Sequence, residues 1–519
     1  MPDHSRENGG SLKIVSLKAR ALARLACVLA TAAIPVLGPG ARPADGARRP
    51  AAGARPVAGA LAGTVCSHYQ PETPDPAVRT ILVGFSPGAQ ALDALTHRLF
   101  VVNTLTPNGN AQGAVSVIDT VTDRVRATRP LSPRAPYVVP GPHSIAVDEQ
   151  TNRVFVLTTR AFDAQAPSTA TSVVNVLDAT SGVLLRAVPL DHTGIALAAD
   201  ARSGHVFVLT AEAAYLPTVT GFVYISNPPL RPAHALGMGR VAVLDARTGA
   251  AQGSVDVGQT PVDLAVDPDA GRVFVPVRGP LGTLTDRRGV PYQGPLGPGT
   301  VSVLDTVSAT VLATTTVGLA PSALTVDARS GRIFVLNGGP GAEAINPPIP
   351  AETSVSVLDA ATGATVRTVA IDNLSSAVTV NETANRVYLS TYGDLVVLDA
   401  TTGARLPTRV DFADPTEGLG GDLAVHAANA YPLASDERRG RVVLVNDEDP
   451  LRSSVRSYAF VVDARSGRVL TDPSHPVGYD PRDAVIDERT GRVFLLNRFA
   501  DCPLDAEPSG SVSIFSTSP

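Results

Sequence analysis

Asp327-Ala-Arg-Ser-Gly-Arg-Ile-Phe-Val-Leu-Asn337, followed by Val355-Ser-Val-Leu-Asp359, is the stretch that decides the fold. It contains an acidic residue, a tight turn and an apolar strand, then a second strand that ends in Asp. The first phrase returns as Asp148…Arg153-Val-Phe-Val156, Asp267…Arg272-Val-Phe-Val275 and Asp487…Arg492-Val-Phe-Leu495. The second returns as Val115-Ser-Val-Ile-Asp119 and Val301-Ser-Val-Leu-Asp305. The turn inside the first phrase, joining its strands A and B, reads Asp-Ala-Arg-Ser-Gly (327–331), Asp-Pro-Asp-Ala-Gly (267–271) and Asp-Glu-Arg-Thr-Gly (487–491). Each sets a capping carboxylate before the turn and Gly where the chain needs positive φ. The repeated Asp is therefore read as a turn device rather than as a catalytic or metal-binding series.

The acidic positions fall at Asp93, Asp148, Asp200, Asp267, Asp327, Asn381, Asp436 and Asp487, with spacings of 55, 52, 67, 60, 54, 55 and 51. A period of about 50 with about four short strands per unit predicts propeller blades. The Val, Ile, Leu and Phe content of the inner strands suits sheets packed on both faces. Counting strands predicts how the ring closes. The eighth unit stops after Val512-Ser-Ile-Phe515, while an unpaired run, Thr80-Ile-Leu-Val83, precedes the first. Letting that run complete the last blade removes two loose edges. The expectation is an all-β toroidal propeller of eight four-stranded blades over residues 79–519, with seven as the alternative if the unit from Ser435 to Asp463 is degenerate.

Phe100-Val-Val-Asn103, Phe334-Val-Leu-Asn337 and Phe494-Leu-Leu-Asn497 resemble the Tyr-Val-Thr-Asn (YVTN) β-propeller repeat, and Gly-x-x-Pro lead-ins at 84–87, 258–261, 318–321 and 478–481 fit the same pattern. The resemblance spans roughly residues 79–517. It implies a propeller fold and a surface, binding or occasionally enzymatic role.

Residues 1–38 read as an export signal: Lys13, Lys18, Arg20 and Arg24 lead into an apolar run from Leu25 to Leu37 that is too short to be a membrane span. Residues 39–78 are a Pro/Ala/Gly/Arg-rich linker that buries too little apolar surface to order itself. These features place the chain outside the cytoplasm, secreted or at the cell surface, and tethered if the signal is not cleaved. With Cys27 in the signal, Cys66 and Cys502 form an even pair in an exported chain and are expected to form a disulfide. The net charge is −5 although the first 50 residues carry eight Lys/Arg against three acids, so the propeller is mildly acidic and has no footprint for nucleic acid.

In a four-stranded blade the B–C and D–A connections emerge on one face and the A–B and C–D turns on the other. The long insertions, 210–239 and 276–299 above all, with shorter ones at 158–172 and 337–353, fall in B–C connections, and such one-sided insertions mark a binding face. Tyr137, Tyr215, Tyr224, Tyr292, Tyr392 and Tyr479 fall on that face with Arg278, Arg287 and Arg288, and Tyr is a common contact residue. His143, Asp191, His192, Asp263, Asp480, Arg482 and Asp483 stand at strand-A starts beside the channel. His and carboxylate groups there would suit a divalent cation that activates water. Asp411, Asp414, Glu417 and Asp422, with Asp447, Glu448 and Asp449, would offer calcium its oxygen ligands. Covalent haem, Walker, dinucleotide-binding and nucleophile-elbow motifs are absent, and the chain has no Trp to build a quinone platform. Asn373-Leu-Ser and Asn381-Glu-Thr match the glycosylation pattern. The leading expectation is a non-catalytic binding or scaffold protein, monomeric and without a cofactor, that offers its loop-rich face to a ligand or partner. The alternatives are a metal-dependent hydrolase of the propeller lactonase kind and a self-assembling surface protein.

Overall fold

The computed structural model describes residues 75–518 apart from 106–112, 132–141, 160–171, 213–236, 286–290, 339–352, 372–374, 392–393, 409, 411–429, 447–456, 472–474 and 501–508. The described residues form eight radial antiparallel sheets and contain no helix. In blade 5, strand A is Pro321–Asp327, strand B Arg332–Asn337, strand C Thr353–Asp359 and strand D Thr365–Ile371, paired in that order. The same order recurs in blades 1 (Phe85 to Pro130), 2 (Pro142 to Leu190), 3 (Thr193 to Gln259) and 4 (Ala265 to Leu319). In the eighth blade Tyr479–Asp487, Arg492–Phe499 and Ser511–Ser516 are joined by Arg79–Leu82, with Arg79 opposite Ile514 and Leu82 opposite Ser511. The N-terminal strand thus closes the ring as the strand count predicts.

The irregular units are the sixth and seventh. Blade 6 has three strands, Ser375–Asn381, Arg386–Thr391 and Asp394–Asp399, after which the chain makes one bridge from Arg405 to Leu398 before Pro407. Proline has no N–H for the next rung. Blade 7 is complete, but its outer strand returns only as His475–Pro476 after a lone Val462–Val469 bridge.

Strand B decides the packing. Ile333 and Val335 turn to one side and join Phe274, Val301 and Val303 of blade 4; Phe334 and Leu336 turn to the other and join Val387 and Leu389 of blade 6. A strand clamped between two sheets must be apolar at both parities, which is why Arg-Ile-Phe-Val-Leu shows no alternation. Each of the eight blade-to-blade seams has one such cluster of buried side chains. The aromatic two residues after the strand-B Arg or His is fully buried in seven blades (Phe100, Phe155, Phe207, Phe274, Phe334, Tyr388 and Phe494), and Val443 takes its place in blade 7. Tyr388 keeps its hydroxyl satisfied by donating to Ala464 O at 2.6 Å.

The turn residues do what their spacing predicts. Asp267 Oδ1 accepts Ala270 N at 3.0 Å, and Asp327 Oδ1 accepts Ser330 N at 3.0 Å; Asn381 Oδ1 substitutes by accepting Ala384 N at 2.8 Å. Gly271, Gly331 and Gly491 sit at φ of 65°, 64° and 75°. In blades 1, 4, 5 and 7 the second Asp caps the C–D turn and also pairs with the Arg that opens strand B: Arg98–Asp119, Arg272–Asp305, Arg332–Asp359 and Arg441–Asp463 span 3.2, 3.0, 2.8 and 2.5 Å. Asn381 is fully buried and its Nδ2 donates to Ser435 Oγ at 2.8 Å, so of the two glycosylation patterns this one is a packed cap in the folded chain; Asn373 lies outside the described residues.

The sequence phrases also interlock. Asn103, Asn337 and Asn497 are fully buried, and each donates through Nδ2 to the Ser of the strand-C phrase: Ser116 Oγ at 2.9 Å, Ser356 Oγ at 3.0 Å and Ser513 Oγ at 3.0 Å. The Gly of each Gly-x-x-Pro lead-in rests on that Asn. A Cβ on Gly84 or Gly318 would stand 2.7 Å from Asn103 or Asn337 Cγ, and one on Gly478 would stand 2.6 Å from Phe499 O. In blade 4 Val277 replaces the Asn, and Ser302 turns instead to Val257 O at 2.9 Å. Gly478→Ala is therefore expected to cost roughly 2–4 kcal/mol, since the contact is with backbone and cannot move away. Gly331→Ala, with nothing within 4 Å of its added Cβ, should cost only the left-handed strain of about 1–2 kcal/mol. Urea unfolding of the two variants side by side checks the ranking; equal losses would mean that the close approach of Gly478 to Phe499 O is slack.

Candidate binding face

The two faces of the ring differ in kind. On one, the A–B and C–D links are tight turns stitched from blade to blade by glutamates that follow the turn Asp or Asn. Glu149 accepts Ala94 N at 2.9 Å, Glu382 accepts Ala328 N at 3.0 Å, Glu437 accepts Thr383 N at 2.9 Å and Glu488 accepts Glu437 N at 3.1 Å. Burial is the main cause that pushes Glu382 and Glu437 above the ordinary glutamate range, with neighbouring carboxylates adding to it. These carboxylates are spent on backbone N–H groups.

The long connections leave and re-enter the ring at the strand ends of the other face. Besides the B–C insertions it takes the D–A link from blade 6 to blade 7, residues 407–429, so the length is not confined to B–C connections. The insertion of blade 4 is itself ordered as a β-hairpin, Leu281–Thr285 paired with Pro291–Pro295, with Leu281 opposite Pro295 and Thr285 opposite Pro291. Its base is fixed to the ring. Arg278 N donates to Thr260 O at 3.0 Å, Gly279 N to Gln259 O at 3.1 Å, and Arg278 Nε to Pro321 O at 3.4 Å. Arg278 thus anchors the hairpin across the seam to blade 5.

The sequence-predicted contact residues distribute as follows. Tyr292 lies in the second hairpin strand, while Arg287 and Arg288, at the tip, lie outside the described residues, as do Tyr137, Tyr215, Tyr224 and Tyr392. Tyr479 is a correction: it begins strand A of blade 8 rather than a loop, and at 3 % exposure it is buried instead of facing a ligand. Asp191 and His192 form the two-residue link from blade 2 to blade 3, Asp191 exposed and His192 half-buried. His143 lies in strand Pro142–Asp148.

Asp263 and Asp483 occupy the same register, four residues before the turn Asp, in blades 4 and 8. In a ring of eight those blades are opposite, so the fold separates these two carboxylates. Ser144 shows what the register does: its Oγ accepts Leu197 N of the next blade at 3.1 Å, which satisfies the inward edge of strand A. Asp483 Oδ2 likewise accepts Gln90 N at 3.0 Å, and Gln90 Nε2 returns bonds to Asp483 O at 3.1 Å and Phe494 O at 2.8 Å. Gln90 stands where the other blades carry an apolar residue (Ile145, Leu197, Leu264, Leu324, Val378, Leu433 and Ala484), so the closing seam is polar where the others are apolar. Desolvation by the channel wall pushes Asp483 up to about 6, although hydrogen bonds from Gln90 N and Ala484 N oppose the shift.

Asp480 is drawn into a second cluster. Arg482 donates through Nη2 to Asp480 Oδ2, and Arg498 Nη1 approaches the same oxygen at 3.6 Å. Arg498, at the end of strand B, carries no signal in the sequence, because nothing in the repeat marks it. Among the described residues no three His, Cys, Asp or Glu side chains are close enough to hold a metal ion; Asp411, Asp414, Glu417, Asp422, Asp447, Glu448 and Asp449 lie outside them, as do Cys66 and Cys502. No described helix is long and apolar enough to cross a membrane.

No protein-family profile matches the sequence, and no curated protein matches it. Among solved structures, BamB from Moraxella catarrhalis is similar at 13 % identity and a TM-score of 0.46, covering 84 % of this chain and 98 % of its own. Hydrazine synthase of Kuenenia stuttgartiensis matches at 13 % identity and a TM-score of 0.44, covering 84 % of this chain and 97 % of its own. The Dos1 propeller matches at 9 % identity and a TM-score of 0.43, covering 84 % of this chain and 78 % of its own. At these identities the likeness concerns fold alone, and the strand order above carries the propeller assignment.

Proposed function

We propose that the chain is an exported, non-catalytic β-propeller of the YVTN-repeat kind that presents its B–C and D–A face to a ligand or cell-surface partner. The observation that supports the reading is the contrast between the faces. The turn face uses its carboxylates to satisfy its own backbone, whereas the other carries the long connections and an anchored hairpin. A rigid scaffold with variable connections on one side is the arrangement in which repeat proteins place binding. The basic, apolar N-terminus would direct export, the Pro/Ala/Gly/Arg segment would act as a stalk, and a Cys66–Cys502 disulfide would tie that stalk to the last blade. The monomer is the working unit, and neither nucleic acid nor a cofactor enters this reading.

Replacing residues 281–295 by a short Gly-Ser link is expected to leave the unfolding midpoint of the full-length protein unchanged. The hairpin pairs with itself, and none of its described residues belongs to a seam cluster, so the ring is not expected to depend on it. Binding of the labelled variant to the surface of the cells that produce the protein should fall at least about tenfold, as expected when central contacts are lost. Full binding with the hairpin gone would remove this face as the contact surface.

A further inference from the structure

We infer that the channel rim at blade 8 holds a site for a single oxyanion, a carboxylate or a phosphate, built by Arg482 and Arg498 around Asp480. The inference rests on the reading of this face as the binding face and gives it a ligand chemistry.

Two guanidinium groups converge on one carboxylate oxygen. Arg482 Nη2 donates to Asp480 Oδ2, and Arg498 Nη1 stands 3.6 Å from the same atom. The side chains of Arg482 and Asp480 are only 6 % and 9 % exposed, while Arg498 is 32 % exposed. One cation is thus fixed beneath the surface and the other is open to solvent, its guanidinium 5.1 Å from the centre of the Phe499 ring. Within this cluster of described residues two positive charges meet one negative in a partly desolvated place. Asp483, the next carboxylate along the strand, is committed to the backbone of blade 1 through Gln90. Burial, followed by the neighbouring Arg482, holds Arg498 below the ordinary arginine value, although Asp480 pulls the other way.

The backbone prepares the site. The third residue of each Gly-x-x-Pro lead-in adopts the left-handed conformation: Ser86, Thr260, Ala320 and Asp480 have φ of 45°, 59°, 48° and 53°. The repeat therefore points this side chain the same way in four blades, and only blade 8 puts a charge there. Arg498 faces it across the ladder, in which Pro481 pairs with Asn497 and Tyr479 with Phe499. Guanidinium has five N–H donors in a planar fork, so the pair has donors to spare for an incoming oxyanion. Asp480 orients both arginines and competes with the ligand for them.

That competition sets the sign of the test. Full-length protein is titrated calorimetrically at low salt with sodium galacturonate, inorganic phosphate and galactose. Saturable binding of galacturonate or phosphate, without binding of galactose, is expected, and which anion binds identifies the class. Arg498→Ala should weaken binding at least about tenfold, in line with losing a charge-assisted contact. Asp480→Asn should strengthen it several-fold by removing the competing carboxylate, whereas a purely structural ion cluster would show no such gain. Should Asp480→Asn not fold, the part-exposed Arg498→Ala and Arg498→Lys variants carry the test alone. Absence of anion binding, or unchanged affinity in Arg498→Ala, overturns the site and means that the surplus charge is met within the chain. The hairpin deletion is read separately, so the site can fail while the binding face stands.

Discussion

A chain that begins at Gly84 is expected to lose its single cooperative unfolding transition and to aggregate, while one that begins at Asp75 keeps that transition and stays monomeric. The difference is nine residues, of which Arg79–Leu82 pair with the last strand over four rungs, from Arg79 opposite Ile514 to Leu82 opposite Ser511. Val83 N then donates to Gly510 O at 3.0 Å, and Gly510 N to Gly84 O at 3.1 Å. Ile81 and Val83 are 7 % and 8 % exposed and complete the seam with Leu99, Val101, Phe494, Leu496 and Val512. Losing them forfeits roughly 1.5–3 kcal/mol per side chain before any cavity is counted. The topological loss is larger. Ser511–Ser516 becomes an open edge whose backbone groups invite pairing with another copy. Arg79 also leaves Asp123, to which it is bound at 3.0 Å on the first blade. Light scattering and urea unfolding of the two truncations decide the matter: a monomeric 84–519 chain with an unshifted midpoint would show that the ring does not need its N-terminal strand. Ile81→Ala offers a graded version, with an expected loss of roughly 2–4 kcal/mol.

What the sequence makes legible is whatever repeats within a blade. The Phe-Val runs, the Asp before each turn and the odd strand count are periodic, and each maps onto one structural job, so the eight blades and their closure follow. The stitches between blades are less visible. Glu382, Glu437 and Glu488 recur at blade spacing, yet nothing in one dimension says that each reaches back to the preceding turn. Gln90 and Asp483 are 393 residues apart and meet only because the ring closes. The candidate site shows the same division. Arg482 and Asp480 follow from their position in the repeat, but Arg498 needs the ladder to place it across from them. Tyr479 misleads because strand A of blade 8 starts two residues before the Pro of its lead-in, so the residue is buried in a strand rather than displayed in a loop.

Acid and base should act on the ring in opposite senses at two kinds of carboxylate, and a single substitution separates them. Asp305 is held below the ordinary range chiefly by Ser308 N, and Asp245 and Asp359 chiefly by the hydroxyls of Thr248 and Thr362. A carboxyl depressed on folding contributes stability that is fully present above its unfolded value, near 4, and lost as the pH falls through the folded one. Several such caps predict progressive acid unfolding below about pH 4. Asp483 runs the other way. Its folded value, raised to about 6, means that the fold prefers the protonated form. The penalty for its charge is fully present above that value and fades as the pH falls toward the unfolded one. Asp483→Asn keeps an oxygen that can accept Gln90 N while removing the buried charge. A carboxyl raised from near 4 to about 6 carries a penalty of at most about 3 kcal/mol, so the variant should be roughly 1–3 kcal/mol more stable than the parent at pH 7.5. The two should converge by about pH 4, where Asp483 is protonated in the folded chain and the penalty is gone. Urea midpoints at the two pH values measure the gap. A gap that persists at low pH would locate the gain in packing rather than charge, and a loss at pH 7.5 would show that the ionised carboxylate holds the closing seam. A gain is the more informative result: a carboxylate that weakens the ring at neutral pH stands at the channel, and its retention there then calls for a role beyond the fold.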